Sequence, residues 1–362
     1  MRTRVGHVDI AKGISIILVA ICHSKLMIFY PGMINSMGLF RMPLFFFLAG
    51  VFFNRSSNTY EFFWKKSDAL LKPYFATLLF AFVINVLFKQ EINILFKQED
   101  LTWQLKGIFY GNGDTIRWVG SWWMPMWFLT HLFSVYAFTY FMFRLTNIEE
   151  RNIYYKYVFI AILMTIGVQW IGVFWNFKII LLGKEIEMPG LPFSFDIILI
   201  SSSFFIVGSF LRKKIVSFTP NFYILSISVL VFSVVAIFTD AHMNLNERIY
   251  INPLLTTIGA ISGIYFVLYI SFYLNRVIIL RNVFLTFGQA SLFILIFHLF
   301  FGSLAYHVFS WLNGGRVELW LVITAFLISI LTPLVIKIIV LKNRLLSLMY
   351  LPVKTRNTIN QG

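Results

Sequence analysis

The stretch DIAKGISIILVAICHSK, residues 9–25, has a middle that is apolar enough to cross a bilayer, yet three ionisable residues interrupt it. These residues are Asp9, Lys12 and His23. Ionisable groups at membrane depth are costly, and they face the protein interior or a water-filled cavity. At about 100° per residue, all three project from one face of a helix, together with Gly13. The stretch therefore predicts a first membrane span whose polar stripe faces protein.

The composition extends this pattern to the whole chain. Of its 362 residues, 59% are hydrophobic and 12% are charged, whereas soluble domains are about 25% charged. Ten apolar segments are long enough to cross a bilayer. They cover residues 8–27, 38–54, 72–89, 124–143, 155–175, 194–211, 221–239, 252–274, 285–306 and 317–340. The sequence predicts an all-α polytopic membrane protein of about ten transmembrane helices, with one integral domain over 1–345 and a tail over 346–362.

Basic residues are distributed unevenly between the two sides of these spans. With the N-terminus inside, 18 of the 30 Lys and Arg residues fall on the cytoplasmic side and ten fall outside. This excess predicts that both termini are cytoplasmic. It also accounts for the net charge of +15 without a nucleic-acid partner. The single cysteine, Cys22, excludes an intrachain disulfide.

Aromatic and histidine residues concentrate in the predicted outer half of the membrane. Nine of the ten tryptophans map to the outer side, either as an interfacial belt or as a stacking surface for a sugar acceptor. Like His23, two further histidines are predicted at this level, which suggests a shared polar cavity. No short-spaced ligand pair accompanies them, so no metal is expected. The candidate substrate-binding residues are Trp122, Trp123, Trp127, His131 and His298.

Two further segments carry candidate site residues. In the second span, Arg41 and Pro43 lie at the predicted outer end, and Gly50 predicts close helix packing. Arg41 is either a snorkelling anchor or a functional residue. On the cytoplasmic side, a second group of cations could join Lys12 in a pocket for a phosphorylated ligand, although positive-inside bias is the favoured explanation from the sequence alone. These cations are Lys65, Lys66 and Lys72.

Five of these motifs resemble acyltransferase family 3, whose members are ten-span bacterial membrane enzymes that O-acetylate surface polysaccharides and related acceptors. They are DIAKGISIILVAICHS in span one, RMPLFFFLAG in span two, KPY at 72–74, WFL at 127–129 and SLFILIFH at 291–298. Family members carry a basic residue, ten intervening residues and a histidine, which match Lys12 and His23. Arginine is frequent at the first of these positions, and serine is usual where this chain has Ala49. The cytoplasmic lysines match the family's arginines only in charge.

The resemblance implies a location and a mechanism. The protein would be a multi-pass protein of the bacterial cytoplasmic (inner) membrane. Acetyl-CoA would bind through Lys12 and the three cytoplasmic lysines, and Asp9 would orient or neutralise Lys12. His23 would act as general base or transient acyl carrier. Arg41 or a second histidine would stabilise the oxyanion. The acceptor, a surface glycan or a lipid-linked sugar, would approach the tryptophans from outside.

Two other classes of protein share these features. A flippase or transporter for a lipid-linked sugar would use the same polar interior to carry cargo, although such proteins often contain internal repeats, and none is visible here. An O-antigen-type polymerase would also work at the outer side, without a cytoplasmic pocket for CoA.

Overall fold

The computed structural model describes residues 5–55, 58–88, 100–181 and 184–353, and most of these residues are helical. Within these ranges, eight helices are long and apolar enough to cross a membrane, and they lie at eight of the ten predicted positions. The remaining two positions hold helices of 17 residues, Gly6–Cys22 and Phe222–Phe238. The prediction of an all-α, polytopic membrane protein is therefore confirmed.

The elements follow one another along the chain with short connections. The helices are α1 (Gly6–Cys22), α2 (Pro31–Val51), α3 (Thr59–Lys66), α4 (Lys72–Leu87), α5 (Leu101–Tyr110), α6 (Gly113–Ile116), α7 (Trp127–Thr146), α8 (Ile153–Trp170), α9 (Ile198–Phe210), α10 (Arg212–Val216), α11 (Phe222–Phe238), α12 (Pro253–Leu274), α13 (Ile278–Gln289), α14 (Ser291–Leu312), α15 (Leu319–Lys342) and α16 (Arg344–Tyr350). Two antiparallel hairpins, β1 (Trp175–Leu181) with β2 (Lys184–Pro189) and β3 (His242–Asn244) with β4 (Ile249–Ile251), occupy connections that the sequence places outside.

Several helix ends differ from their predicted positions. The second span begins at Pro31 and not at residue 38, because proline is favoured at the first position of a helix. Arg41 and Pro43 consequently lie inside α2, and the prediction that they open this span is wrong. The predicted ninth span, 285–306, covers two helices that are separated at Ala290. Hydropathy does not detect this break, since only Gln289 and Ser291 beside it are polar within a long apolar segment.

The described chain divides into two compact units. The first comprises Met1–Phe53, Tyr157–Val168 and Ile200–Val335, and the second comprises Asn54–Lys156, Gln169–Leu199 and Ile336–Gly362. The integral domain over 1–345 and the tail over 346–362 stay predictions, and residues 354–362 of that tail lie outside the described residues.

In the first unit, α1 is enclosed by other helices. It packs against α2, α12, α13 and α14. Its apolar residues Val8, Ile10, Ala11 and Ile16 are all fully buried. A helix that is apolar around most of its circumference is buried in this way. The polar stripe of α1 faces these neighbouring helices, as its sequence predicts, although Asp9, Lys12 and His23 on it are only partly buried.

Glycines allow two of these helices to approach closely. A Cβ added to Gly13 of α1 would lie less than 3.0 Å from the carbonyl oxygen of Phe284 in α13. A Cβ on Gly288 of α13 would come equally close to the carbonyl oxygen of Asp9. The predicted close packing at Gly50 is confirmed as well, because a Cβ there would overlap the carbonyl oxygen of Phe205 in α9. Backbone is therefore in direct contact with backbone at both places.

The second unit is built around a helix that continues from Thr59 to Leu87. Its two parts, α3 and α4, are joined by a wider π-helical turn, Ser67–Leu71. The buried Tyr74 donates its hydroxyl to the carbonyl oxygen of Ile108 at 2.8 Å, which fixes α4 against α5. Such π-turns are frequent at functional sites.

Candidate functional site

His23 lies at the end of α1, which stops at Cys22 although the sequence predicts a span to residue 27. Ser24 causes this stop: its backbone is extended, and its hydroxyl donates to the carbonyl oxygen of Ile21 at 2.6 Å. The chain then forms the short turn Lys25–Ile28. The imidazole of His23 therefore extends from the carboxyl end of a helix, where the helix dipole favours positive charge.

The ring of His23 lies against a second histidine. The ring centroids of His23 and His298 are 5.4 Å apart. His298 is 1% exposed, and its Nδ1 lies 2.7 Å from the carbonyl oxygen of Ile294. Because a carbonyl oxygen only accepts, Nδ1 carries the proton, and Nε2 of the neutral ring presents a lone pair. Among the described residues, Nε2 has no hydrogen-bond partner, so a buried proton acceptor lies beside His23.

Both histidines line a cavity of about 30 Å³ in the first unit. That volume holds a water molecule or a hydroxyl group. Tyr306 lines it from α14, with its ring under the ammonium group of Lys25, and Ser329 lines it from α15. The sequence analysis missed both. Tyr306 could have been recognised from the sequence as a site residue, since it lies eight residues after His298 on the same helix face. Ser329 carries no sequence signal that links it to the site.

Arg41 lies at about the same depth as His23. The Nζ atom of Lys12 lies 4.2 Å from the ring centroid of Phe52, the residue that follows α2. From that contact, His23 is eleven residues along α1, and Arg41 is eleven residues back along α2. Both are therefore ~16 Å from it along their helices. The Nη1 atom of Arg41 is buried and has no hydrogen-bond partner among the described residues. A guanidinium is always charged, so this N–H is a strong donor directed into the protein.

About three turns before His23, Lys12 is held by its own helix. Its Nζ atom lies 3.3 Å from a carboxylate oxygen of Asp9, three residues earlier. The i,i+3 ion pair considered from the sequence is thus present. Both side chains remain partly exposed, at 32% for Lys12 and 22% for Asp9. The ion pair and the Phe52 ring together hold the ammonium group at the end of the polar stripe.

The other three candidate lysines belong to the second unit, where each has a different partner. Lys65 is exposed and pairs with Glu61. Lys66 lies 3.4 Å above the ring of Tyr136. Lys72 pairs with Asp68 and donates to the carbonyl oxygen of Leu351 at 2.6 Å, so the chain itself uses much of its hydrogen-bonding capacity.

The second unit also contains the predicted acceptor-side residues. His131 is fully buried in α7, with its ring centroid 5.6 Å from that of Trp127. Its Nδ1 atom lies 3.3 Å from the carbonyl oxygen of Phe193. Trp122 and Trp123 lie half-buried in the turn that precedes α7. His131 is thus in a different unit from His23 and His298, and a cavity shared by all three histidines stays a prediction.

No set of three His, Cys, Asp or Glu side chains is placed to hold a metal ion within the described part of the chain. The chemical groups that the first unit brings into contact are the imidazoles of His23 and His298. Such a pair suits proton transfer, and the buried Nη1 of Arg41, in the same unit, is a donor suited to a developing negative charge.

Comparison with known proteins places the chain in a family. A family model for an acyltransferase domain matches residues 5–341 and so includes α1 and almost all of α15. No curated protein and no solved structure matches the chain. Since the match covers nearly the whole sequence, the chain belongs to acyltransferase family 3 and is a multi-pass membrane acyltransferase.

Proposed function

We propose that this acyltransferase moves an acetyl group from cytosolic acetyl-CoA to a hydroxyl of a cell-surface or lipid-linked sugar, in the bacterial cytoplasmic membrane. The family match supports acyl transfer. The donor, the acceptor and the membrane rest on the resemblance of the motifs and on the distribution of charge between the two sides of the spans.

The observation that carries the proposal is the pair of histidine rings in the first unit. The lone pair on Nε2 of His298 is buried next to His23. It can accept a hydrogen bond from the protonated ring nitrogen of His23, so that the unprotonated nitrogen of the same ring can act as the base. A base whose orientation is set by a second group is the usual arrangement for activating a nucleophile.

In the resulting reaction, His23 removes the proton from the acceptor hydroxyl. The hydroxyl oxygen bonds to the thioester carbonyl carbon, and the bond from that carbon to the CoA sulfur breaks. The proton passes from His23 to the departing sulfur, so that free CoA leaves as a thiol. The alternative route transfers the acetyl group to His23 first and then to the hydroxyl. Both routes need an imidazole that changes its protonation state near neutral pH.

Arg41 is the better candidate for stabilising the oxyanion. The sequence alone left this role open to either Arg41 or a second histidine. The neutral ring of His298, however, offers a lone pair and not a donor, because its Nδ1 proton points to a backbone carbonyl. The buried Nη1 of Arg41 is a charged donor at about the depth of His23. A donor of this kind is suited to the negative charge that develops on the carbonyl oxygen.

The two ends of the reaction path have separate candidate residues. On the cytoplasmic side, Lys12 would contact a phosphate of CoA, with Asp9 holding the ammonium in place. Further phosphate contacts would come from Lys65 and Lys66, and from Lys72 only after it exchanges its present partners. On the outer side, the acceptor sugar would stack on aromatic rings. The candidates are Trp122, Trp123, Trp127 and His131.

Transfer of label from acetyl-CoA tests the proposal directly. Inverted membrane vesicles containing the protein are supplied with acetyl-labelled CoA, and label in the glycan fraction is measured. Replacing His23 with alanine is expected to lower the transfer by about 10²–10⁴-fold, the usual contribution of a general base. The matched control is His307→Ala, since His307 is an exposed histidine on α14.

Two results would contradict the proposal. One is unreduced transfer by the His23→Ala variant at wild-type abundance. The other is the absence of any labelled product with the wild-type protein, which would instead favour a flippase or a polymerase, because neither of these transfers the acetyl group.

A further inference from the structure

A groove of about 660 Å³ lies in the first unit, away from the histidine pair. It runs between α8, α9 and α12, and apolar side chains form most of its walls. Ile160 and Met164 of α8 form one side, Val207 of α9 forms the base, and Ile261 and Ile264 of α12 form the other side. Its volume is in the range of known ligand sites, about 300–1,000 Å³.

The length of the groove corresponds to one leaflet of a bilayer. Its lining on α12 extends from Thr257 to Leu268. Eleven residues of helix rise ~16 Å. The hydrocarbon core of a bilayer is about 30 Å thick, so the groove covers about half of it. An acyl chain of a single phospholipid leaflet has this extent, whereas a ligand that crosses the whole membrane does not.

One end of the groove is strongly basic. The wall continues there through Leu211, Lys214 and Ser217, next to the short helix α10. This helix carries three consecutive exposed cations, which are Arg212, Lys213 and Lys214. No Asp or Glu occurs between residues 197 and 239 of the sequence. The positive charge at this end therefore has no local acidic neighbour in sequence, and it lies in a segment that the charge distribution places on the cytoplasmic side.

We propose that this groove binds a phospholipid with an anionic headgroup from the cytoplasmic leaflet. Its acyl chains lie along Val207, Ile261 and Ile264, and its phosphate contacts Lys214. Basic pockets between transmembrane helices on the cytoplasmic side bind anionic lipid headgroups in the same way, through apolar contact with the chains and charge attraction to the headgroup. A neutral lipid would use the apolar walls but gain nothing from Lys214.

The groove is connected to α1 through its basic end. The Nε2 atom of His7 donates to the carbonyl oxygen of Ile215 at 2.8 Å. The ring of His7 also lies 6.2 Å from that of Phe218. Ile215 and Phe218 both line the groove, and His7 is two residues before Asp9. A lipid seated there consequently stabilises the segment that anchors the start of α1, and its binding is expected to raise the thermal stability of the protein.

Native mass spectrometry of the full-length protein in detergent tests this proposal. Phosphatidylglycerol or phosphatidylcholine is added, and the fraction of protein that retains one lipid is measured. Phosphatidylglycerol is expected to be retained in preference. Lys214→Gln should weaken its retention by about fivefold, the contribution of one cation near a headgroup, without affecting phosphatidylcholine. Arg151→Gln, which removes an exposed cation in the other unit, is the control.

A second variant tests the apolar walls without disturbing the core. Ile261 is 58% exposed on the groove wall, so Ile261→Trp fills the groove and leaves the packed interior intact. It should abolish retention of both lipids, whereas Leu230→Trp on the exposed face of α11 should not. Equal retention of the two lipids by the wild-type protein would overturn the proposal. So would unchanged retention by either groove variant. Because binding is the readout, this outcome does not depend on acyl transfer.

Discussion

Replacing Gly13 with alanine is expected to damage both stability and activity, although it adds a single methyl group. The new Cβ would lie less than 3.0 Å from the carbonyl oxygen of Phe284, a separation that real Cβ atoms essentially never show. The obstructing atom belongs to the backbone of α13, so no side-chain rotation can make room. Helices α1 and α13 must therefore move apart.

The size of the effect follows from this geometry. Overpacking a well-packed core by one methyl group costs about 1–3 kcal/mol. Alanine gains up to about 1 kcal/mol over glycine in helix propensity, which offsets only part of that cost. A displacement of α1 on the order of 1 Å also alters the position of His23 against His298, and misplacement of this size lowers rates by about 10²-fold. The unfolding temperature and the transfer rate should both fall.

The assay compares Gly13→Ala with Gly32→Ala. A Cβ on Gly32 meets nothing within 4 Å, so its substitution changes glycine content without a clash. Stability is measured as the temperature at which the protein unfolds, monitored by size-exclusion chromatography of heated samples. Activity is measured as label transfer from acetyl-CoA. If Gly13→Ala unfolds at the same temperature as Gly32→Ala and transfers label at the wild-type rate, the close approach of α1 and α13 is refuted.

Three further predictions concern single side chains. Arg41→Met should lower acetyl transfer by about 10²–10³-fold at unchanged abundance, measured by label transfer, because it removes the proposed oxyanion donor. His298→Leu should lower label transfer at unchanged abundance, since His23 loses the acceptor for its N–H; an unchanged rate would refute a positioning role for His298. Burial raises the pKa of the Glu149 carboxyl, and Arg55 opposes that shift. The folded state then holds this proton more tightly than the unfolded chain, so stability falls as pH rises from about 4.5 towards the raised pKa. Glu149→Gln should remove this fall in a series of thermal unfolding curves.

The sequence predicted the fold class because long apolar segments have few alternatives. A segment of about 20 apolar residues must form a helix in a membrane, where its backbone groups bond internally. The polar stripe on α1 was also predictable, since it depends only on helical periodicity. These features are local, and they correctly predicted that the stripe would face other helices, as the contact between His23 and His298 shows.

Helix ends and relative depths were not predictable in the same way. α1 stops at Cys22 because the Ser24 hydroxyl bonds to a backbone carbonyl, and hydropathy does not record that bond. The placement of Arg41 at the outer end of its span was wrong because the helix begins at Pro31. Its depth relative to His23 depends on how α1 and α2 align, which the contact between Lys12 and Phe52 fixes. Long-range packing decides that alignment.

The histidine pair and the glycine contact belong to one alignment of helices. Gly13 of α1 meets α13 at Gly288, and His23 of α1 meets His298 of α14. In both segments, the glycine precedes the histidine by ten residues, which is a rise of ~15 Å along α1. Two segments that meet at both positions in the same chain order run in parallel. A shift of one turn at the glycines would therefore separate the two imidazole rings, so the glycine contact near the middle of α1 determines the chemistry at its carboxyl end.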